Sequence, residues 1–140
     1  MKITAVKSFL VNPDASKNLL FVKVETDEGI YGWGEAYTQS DRDRAIEAHV
    51  TQLGRYLVGR DPLEIKYFTF WAYTDFATKR GSMDLYSAIS SIEQALWDIG
   101  GKAMSQPVYN LLGGRCRDKI RVYANGWGAW YHTRNRTEEI

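Results

Sequence analysis

The chain has little cysteine and little histidine: one Cys116 and two histidines, His49 and His132, in 140 residues. A lone thiol cannot close an internal disulfide, which makes a reducing, cytoplasmic setting the expectation. Cys116 stands between Arg115 and Arg117, bases of the kind that lower a thiol pKa, but no partner for thiol chemistry is evident beside it. Charge of one sign is also missing, since 18 Lys and Arg face 17 Asp and Glu for a net charge of +1. Without a basic block, nucleic acid and membrane surfaces have no electrostatic footing as partners. No apolar run approaches the roughly 20 residues that span a bilayer. The opening MKITAVKSFLV is broken by Lys7 and Ser8 before it could serve as a signal-peptide core. No internal repeat, low-complexity linker or His/Cys/Asp cluster with metal-ligand spacing occurs. The triplet GWG at 32–34 and 126–128 lacks the further glycine and the setting of a dinucleotide fingerprint.

What remains is ordinary globular material, 44% hydrophobic and 25% charged, long enough to bury a core. Residues 2–11 and 19–26 read as strands. In the second, Leu20, Val22 and Val24 alternate with Phe21, Lys23 and Glu25, the period-two pattern of a half-buried strand. TDEGI follows, with Gly29 placed to take the positive φ of a hairpin, and IYGWGEAY returns as a third strand. Its two glycines imply that another element approaches closely. The period then changes to that of helices. Ser40 and Asp43 form a candidate capping box for a helix carrying Ile46, His49, Val50, Leu53, Tyr56 and Leu57 and ended by Gly59. A second helix is expected from RDPLE, with Asp61 as N-cap. Its rings, Tyr67, Phe68, Phe70, Trp71, Tyr73 and Phe76, are read as core. A third helix should run from about Ser82 to Met104, and a short one follows Pro107 and stops at Gly113. KIRVYANG reads as a strand, and Thr137 opens a further helix at the chain's last residues, which suggests the front part of a longer protein.

Glu93 and Asp98, in SSIEQALWDIGGK, invite comparison with the paired carboxylates of acid/base catalysis. Five positions on a helix turn about 140° past a full circle, so the two cannot share a proton or a metal. Ile89, Ile92, Leu96, Ile99 and Ala103 define the stripe expected to be buried. Glu93 then belongs at its edge in a satisfied polar contact, and Asp98 nearly opposite, capping or paired with a base. Gly100 and Gly101 each cost about 1 kcal/mol inside a helix, which close packing of another backbone would explain.

Several motifs together carry a resemblance. FVKVETDEGIYGWGEAY, GRDPLE and SAISSIEQALWDIGGKAMSQPVYNLLGG resemble, in that order along the chain, segments of enolase-superfamily proteins of the mandelate racemase and muconate-lactonizing branch. The resemblance runs from Lys2 to about Asn125. It implies an α+β fold: a three-stranded antiparallel meander followed by a helical bundle, the N-terminal capping domain over residues 1–114. Residues 115–140 would then begin a (β/α) barrel whose first strand is about Ile120–Asn125. The family's magnesium ligands and catalytic base lie on later barrel strands, so no catalytic residue and no metal ligand is expected in this chain, and alone it should be inert. The resemblance implies a Mg2+-dependent enzyme, a lyase of the sugar-acid (aldonate or aldarate) dehydratase kind, suggested by FVKVETDEG and EQALWDI. A racemase or cycloisomerase would share the first step, α-proton abstraction. From another class, a stand-alone binding or oligomerisation module stays open. The expected partner is a small sugar acid, in a cytoplasmic homo-oligomer.

Within such a domain the loops that close over the substrate map to about Asn12–Asn18 and Tyr37–Asp43. Asn12, Tyr37, Gln39 and Arg42 are the candidate substrate contacts, because a hydroxylated carboxylate needs donors such as Arg and Asn. Against them stands a plainer possibility, with Arg42 a solvated first-turn residue and Tyr37 packed on strand edges. Asn125 and Trp127, at the end of the first barrel strand, complete the set. His132 is placed in a loop above the barrel mouth, and His49 in the core or an interface. Trp33 and Glu35 are read as structural, sealing the sheet against the helices.

Overall fold

The computed structural model describes residues 1–14, 17–38, 41–77 and 81–123, the side chains of 76 and 77 excepted. Three strands, β1 (Ile3–Val11), β2 (Leu19–Thr26) and β3 (Tyr31–Ala36), form an antiparallel sheet in the order β1-β2-β3. Four helices follow: α1 (Asp43–Leu57), α2 (Ile65–Trp71, continuing as a π-helical turn over Ala72–Ala77), α3 (Met83–Ala103) and α4 (Val108–Leu111). The meander and helices expected from the sequence are therefore present.

Alternation decides the sheet's faces. Leu20, Val22 and Val24 are fully buried against the helices, while the opposite face stays open. A bulge between Ile3 and Ala5 shifts the phase of β1 by one residue, so that Ile3 and Val6 both reach the helical layer. Gly29 closes the β2–β3 hairpin at φ +79°, as its position in TDEGI requires. Below the sheet, Ile46, Val50, Leu53 and Leu57 of α1 and Ile92, Leu96 and Ile99 of α3 complete one core with Phe68 of α2. The stripe of α3 ends sooner than its periodicity implies: Gly100 and Gly101 are buried, but Ala103 is exposed.

The two glycines of β3 let α3 come in at backbone distance. A Cβ on Gly32 would stand 1.9 Å from the Ala95 carbonyl oxygen, and one on Gly34 the same distance from that of Ser91. Each glycine instead presents a Cα–H to a helix carbonyl. The helix also satisfies the strand's outward backbone groups with its side chains. Asp98 accepts from the Trp33 amide at 2.9 Å, and Lys102 donates to the Tyr31 carbonyl at 2.7 Å. Gln94 does both at Glu35, accepting from its amide at 3.1 Å and donating to its carbonyl at 3.2 Å. Asp98 is thus paired with a base, Lys102 at 2.6 Å, while Glu93 accepts from the Trp97 indole at 3.3 Å, so the carboxylates do separate structural work.

Several expectations need correction. Ser40 lies outside the described residues, and α1 begins at Asp43 with Arg42 as its N-cap residue, without a side-chain cap bond. Asp61 does not cap α2. Its carboxylate accepts from the Leu63 amide at 2.9 Å and closes a turn, because Glu64, at ψ 49°, is not yet helical. The rings of α2 are not all core: Phe68 is buried and Trp71 half-buried, but Phe70 is 71% exposed and Tyr67 and Tyr73 stand in solvent. A seven-residue helix has one face to give, and Ile65 and Phe68 occupy it. Trp33 does not seal the sheet against the helices; it lies on the open face with its ring 5.4 Å from that of Phe9, and only its backbone joins α3. Glu35 likewise points outward and meets the helix through its main chain. Gly101 does sit under a close backbone, 2.8 Å from a would-be Cβ to the Gln106 carbonyl, whereas Gly100 has ordinary clearance.

The third helix starts where expected, and Ser82 proves to be its N-cap, its hydroxyl accepting from the Leu85 amide at 3.3 Å. Beyond Gly113 and Gly114, both with positive φ, Ile120 to Tyr123 are exposed and carry no strand pairing. The rest of the expected barrel strand, His132 and the helix from Thr137 lie outside the described residues.

Candidate functional site

The strand register brings two loops to one end of the sheet. Val11 pairs with Leu19 and Leu20 with Ala36, so the β1–β2 loop and the β3–α1 loop leave side by side. The start of α3 reaches the same end, since Asp84 meets Arg42 at the start of α1. Each loop contains an aspartate in the left-handed region, Asp14 at φ 57° and Asp41 at φ 67°, a conformation that Asp tolerates better than most side chains.

Asn18 joins the loops. The Asn12 amide donates to the Asn18 side-chain oxygen at 2.9 Å, and the Asn18 amide donates to the Asp43 carboxylate. The buried Thr38 hydroxyl donates to the Asn18 carbonyl. The bond from the Asn18 amide, then that from the Arg44 amide at 2.8 Å, holds the Asp43 carboxyl below its ordinary pKa. Tyr37 is 60% exposed, with the Lys17 ammonium 5.3 Å from its ring centre, within cation–π range.

Arg42 is neither loose nor simply solvated. Its Nε donates to both oxygens of Asp84, at 2.9 and 3.0 Å, and an Nη donates to the same carboxylate. Asp84 is buried while the Arg42 side chain stays 57% exposed. Side-on pairing of this kind fixes the plane of the guanidinium and turns its far nitrogen away from Asp84. The guanidinium hydrogen bond comes first among the causes that hold the Asp84 carboxyl below the usual range, and it raises Arg42 in turn. His49, half-buried on α1, adds a smaller electrostatic pull on Asp84 in the same direction.

Of the candidate substrate contacts, the structure therefore gathers Asn12, Tyr37 and Arg42 at one end of the sheet. Gln39, Asn125 and Trp127 lie outside the described residues. Asn18, Thr38 and Asp84 were not singled out from the sequence, and Asp43 only as half of a capping box. Asn18 and Asp43 sit at the loop boundaries and could have been noticed as side chains suited to bridging. Asp84 carries no local signal, because its partner is 42 positions away.

The assembly can present fixed hydrogen-bond donors and one oriented cation to an anionic, hydroxylated molecule. It holds no metal centre: no group of three or more His, Cys, Asp or Glu among the described residues could bind an ion. No helix among the described residues is long and apolar enough to cross a membrane.

Comparison with known proteins adds the lineage. The family described as mandelate racemase / muconate lactonizing enzyme, N-terminal domain, matches residues 9–113. A D-galactonate dehydratase of Variovorax paradoxus is 46% identical over 124 residues, which is 89% of this chain and 31% of that protein. The chain thus spans about a third of that relative's length. Among solved structures, a member of the enolase superfamily from Salmonella Typhimurium superposes with a TM-score of 0.82 at 36% identity, covering 88% of this chain and 32% of the other. An enolase from Agrobacterium radiobacter, bound to sodium and L-malate, gives 0.79 at 36% identity over 88% of this chain and 30% of its own. With the family matched over most of its length and the meander and helices in the same order, the chain belongs to the mandelate racemase / muconate lactonizing enzyme family as its N-terminal domain.

Proposed function

We propose that this domain is the substrate-covering part of a sugar-acid dehydratase, with an aldonate of the galactonate kind as the substrate class. The observation that carries this reading is the cluster of Asn12, Tyr37 and Arg42 on two hydrogen-bonded loops, with Arg42 oriented by a buried carboxylate. The relationship to a D-galactonate dehydratase supports the substrate class. In such a dehydration the proton on the carbon next to the carboxylate leaves, the hydroxyl of the neighbouring carbon departs as water, and the enol tautomerises to a 2-keto acid. This domain contributes binding and water exclusion rather than proton transfer.

A boundary near Gly114 divides the covering domain from a barrel that supplies the base. Among the described residues no group of three or more His, Cys, Asp or Glu could hold the magnesium ion the reaction class implies. Arg42 would receive a substrate anion or hydroxyl on the nitrogen not held by Asp84, with Asn12 and Tyr37 as neighbouring donors.

The test is turnover of a panel of sugar acids by the full native protein, with and without magnesium, beside Arg42→Ala. Metal-dependent dehydration of an aldonate, with KM raised about tenfold or more in the variant, is the expected result. Failure to dehydrate any acid would overturn the proposal.

A further inference from the structure

We propose that Asn18 is a positioning residue: it couples the loop bearing Asn12 to the loop bearing Tyr37 and Arg42, so that the candidate contacts are set as one unit. This deepens the function proposed above and rests on it.

The geometry is specific. Asn18 is half-buried immediately before β2. Its side-chain oxygen accepts from Asn12 on one loop, and its amide donates to Asp43 on the other. Its main-chain carbonyl takes the hydroxyl of Thr38, the residue after Tyr37. Asp43 follows Arg42 directly, and Arg42 is tied to Asp84 on α3. A continuous line of hydrogen bonds and adjacent backbone therefore runs from Asn12 to the first turn of α3. An asparagine suits the central place because one planar group must accept on one side and donate on the other. An aspartate there could still accept from Asn12 but would face the Asp43 carboxylate with a second negative charge.

That asymmetry makes a test possible. In the full native protein, Asn18→Asp should break the link, and the double variant Asn18→Asp with Asp43→Asn should restore it with donor and acceptor exchanged. Restoration is geometrically allowed, since the new amide at 43 could donate to position 18 while its oxygen kept the bond from the Arg44 backbone.

Hydrogen exchange is read at amides flanking Asn12 and at those flanking Arg42, where no substrate is needed. The single variant should quicken exchange about tenfold in both places, the cost of one charge-assisted bond, and the double variant should return both to within about threefold of the wild type. Quickening near Asn12 alone, or no recovery in the double variant, would overturn the coupling.

In turnover of galactonate, the single variant should raise KM about tenfold while kcat stays within about threefold, and the double variant should recover KM. A fall in kcat at unchanged KM would overturn the positioning role. If the wild-type protein turned over no sugar acid, the functional reading would fall by itself, and the exchange result would still decide whether the loops are coupled.

Discussion

Replacing Gly34 by alanine adds a single methyl group and should be among the most damaging small changes in the chain. The new Cβ would stand 1.9 Å from the Ser91 carbonyl oxygen, and that atom belongs to a helix backbone that cannot rotate aside. Restoring contact distance requires α3 and β3 to part by about 1 Å or more, a gap that forfeits a quarter to a half of each van der Waals contact across it. The same movement strains the bonds from the Trp33 and Glu35 amides, now 2.9 and 3.1 Å long. Overpacking of this kind costs about 1–3 kcal/mol, and each weakened hydrogen bond adds about 1. Against this, alanine gains about 0.4–1 kcal/mol by restricting the unfolded chain. The clash wins, with a net loss of about 3 kcal/mol, or roughly a 10 °C fall in Tm for a chain of this size. Gly100→Ala is the matched control. There a Cβ meets only the Leu111 and Leu63 methyls, at 3.7 and 3.8 Å, so the change should stabilise α3 by up to about 1 kcal/mol. Urea and thermal unfolding followed by tryptophan fluorescence measure both. If Gly34→Ala unfolds within 2 °C or so of the parent chain, the backbone contact between β3 and α3 is not as described.

Other consequences are simpler to check. Phe68→Ala should cost about 3–5 kcal/mol, because Phe68 is the only fully buried ring among the described residues of α2; a loss below 1 kcal/mol in urea titration would contradict its place in the core. Ser82→Ala removes the cap of α3 and should cost about 1 kcal/mol, read by the same titration, with no loss if the Leu85 amide finds another acceptor. The Asp84 carboxyl is held below its ordinary pKa chiefly by the hydrogen bond from Arg42, so its charged form favours the folded chain. The stability it contributes is present above the unfolded value near pH 4 and fades as pH falls through the depressed folded value. Asp84→Asn should therefore flatten the acid limb of stability against pH, and an unchanged slope would refute the linkage.

Much of the fold was legible because it is written at short range. β2 alternates since one face is buried, Gly29 marks a turn that needs positive φ, and the helical period sets the start of α3 near Ser82. The glycines of GWG were rightly read as a place of close approach, though nothing local names α3 as the visitor. Features decided by distant partners were not legible. Asp61 and Pro62 look like a helix start, yet Pro62 is buried and the chain makes a full turn before α2 begins. The rings of α2 look like core until the helix proves to offer one face only. The two loops could be located from the family resemblance, but the bonds that set Asn12 and Arg42 depend on Asn18 and Asp84, residues with no periodic or motif signal. Arg42 and Asp84, 42 positions apart, leave no trace of their pairing in a window of sequence.

The way Asp98, Gln94 and Lys102 occupy the outward main chain of β3 bears on self-association. Amyloid-like growth needs every added strand to receive a neighbour on one side and offer a template on the other. With the β3 side taken, an incoming strand could join only beside β1, and the resulting pair would present no second template for the next chain. Propagation from the native state is thereby terminated at its first step, and a fibril would have to begin from a state in which α3 has already come away.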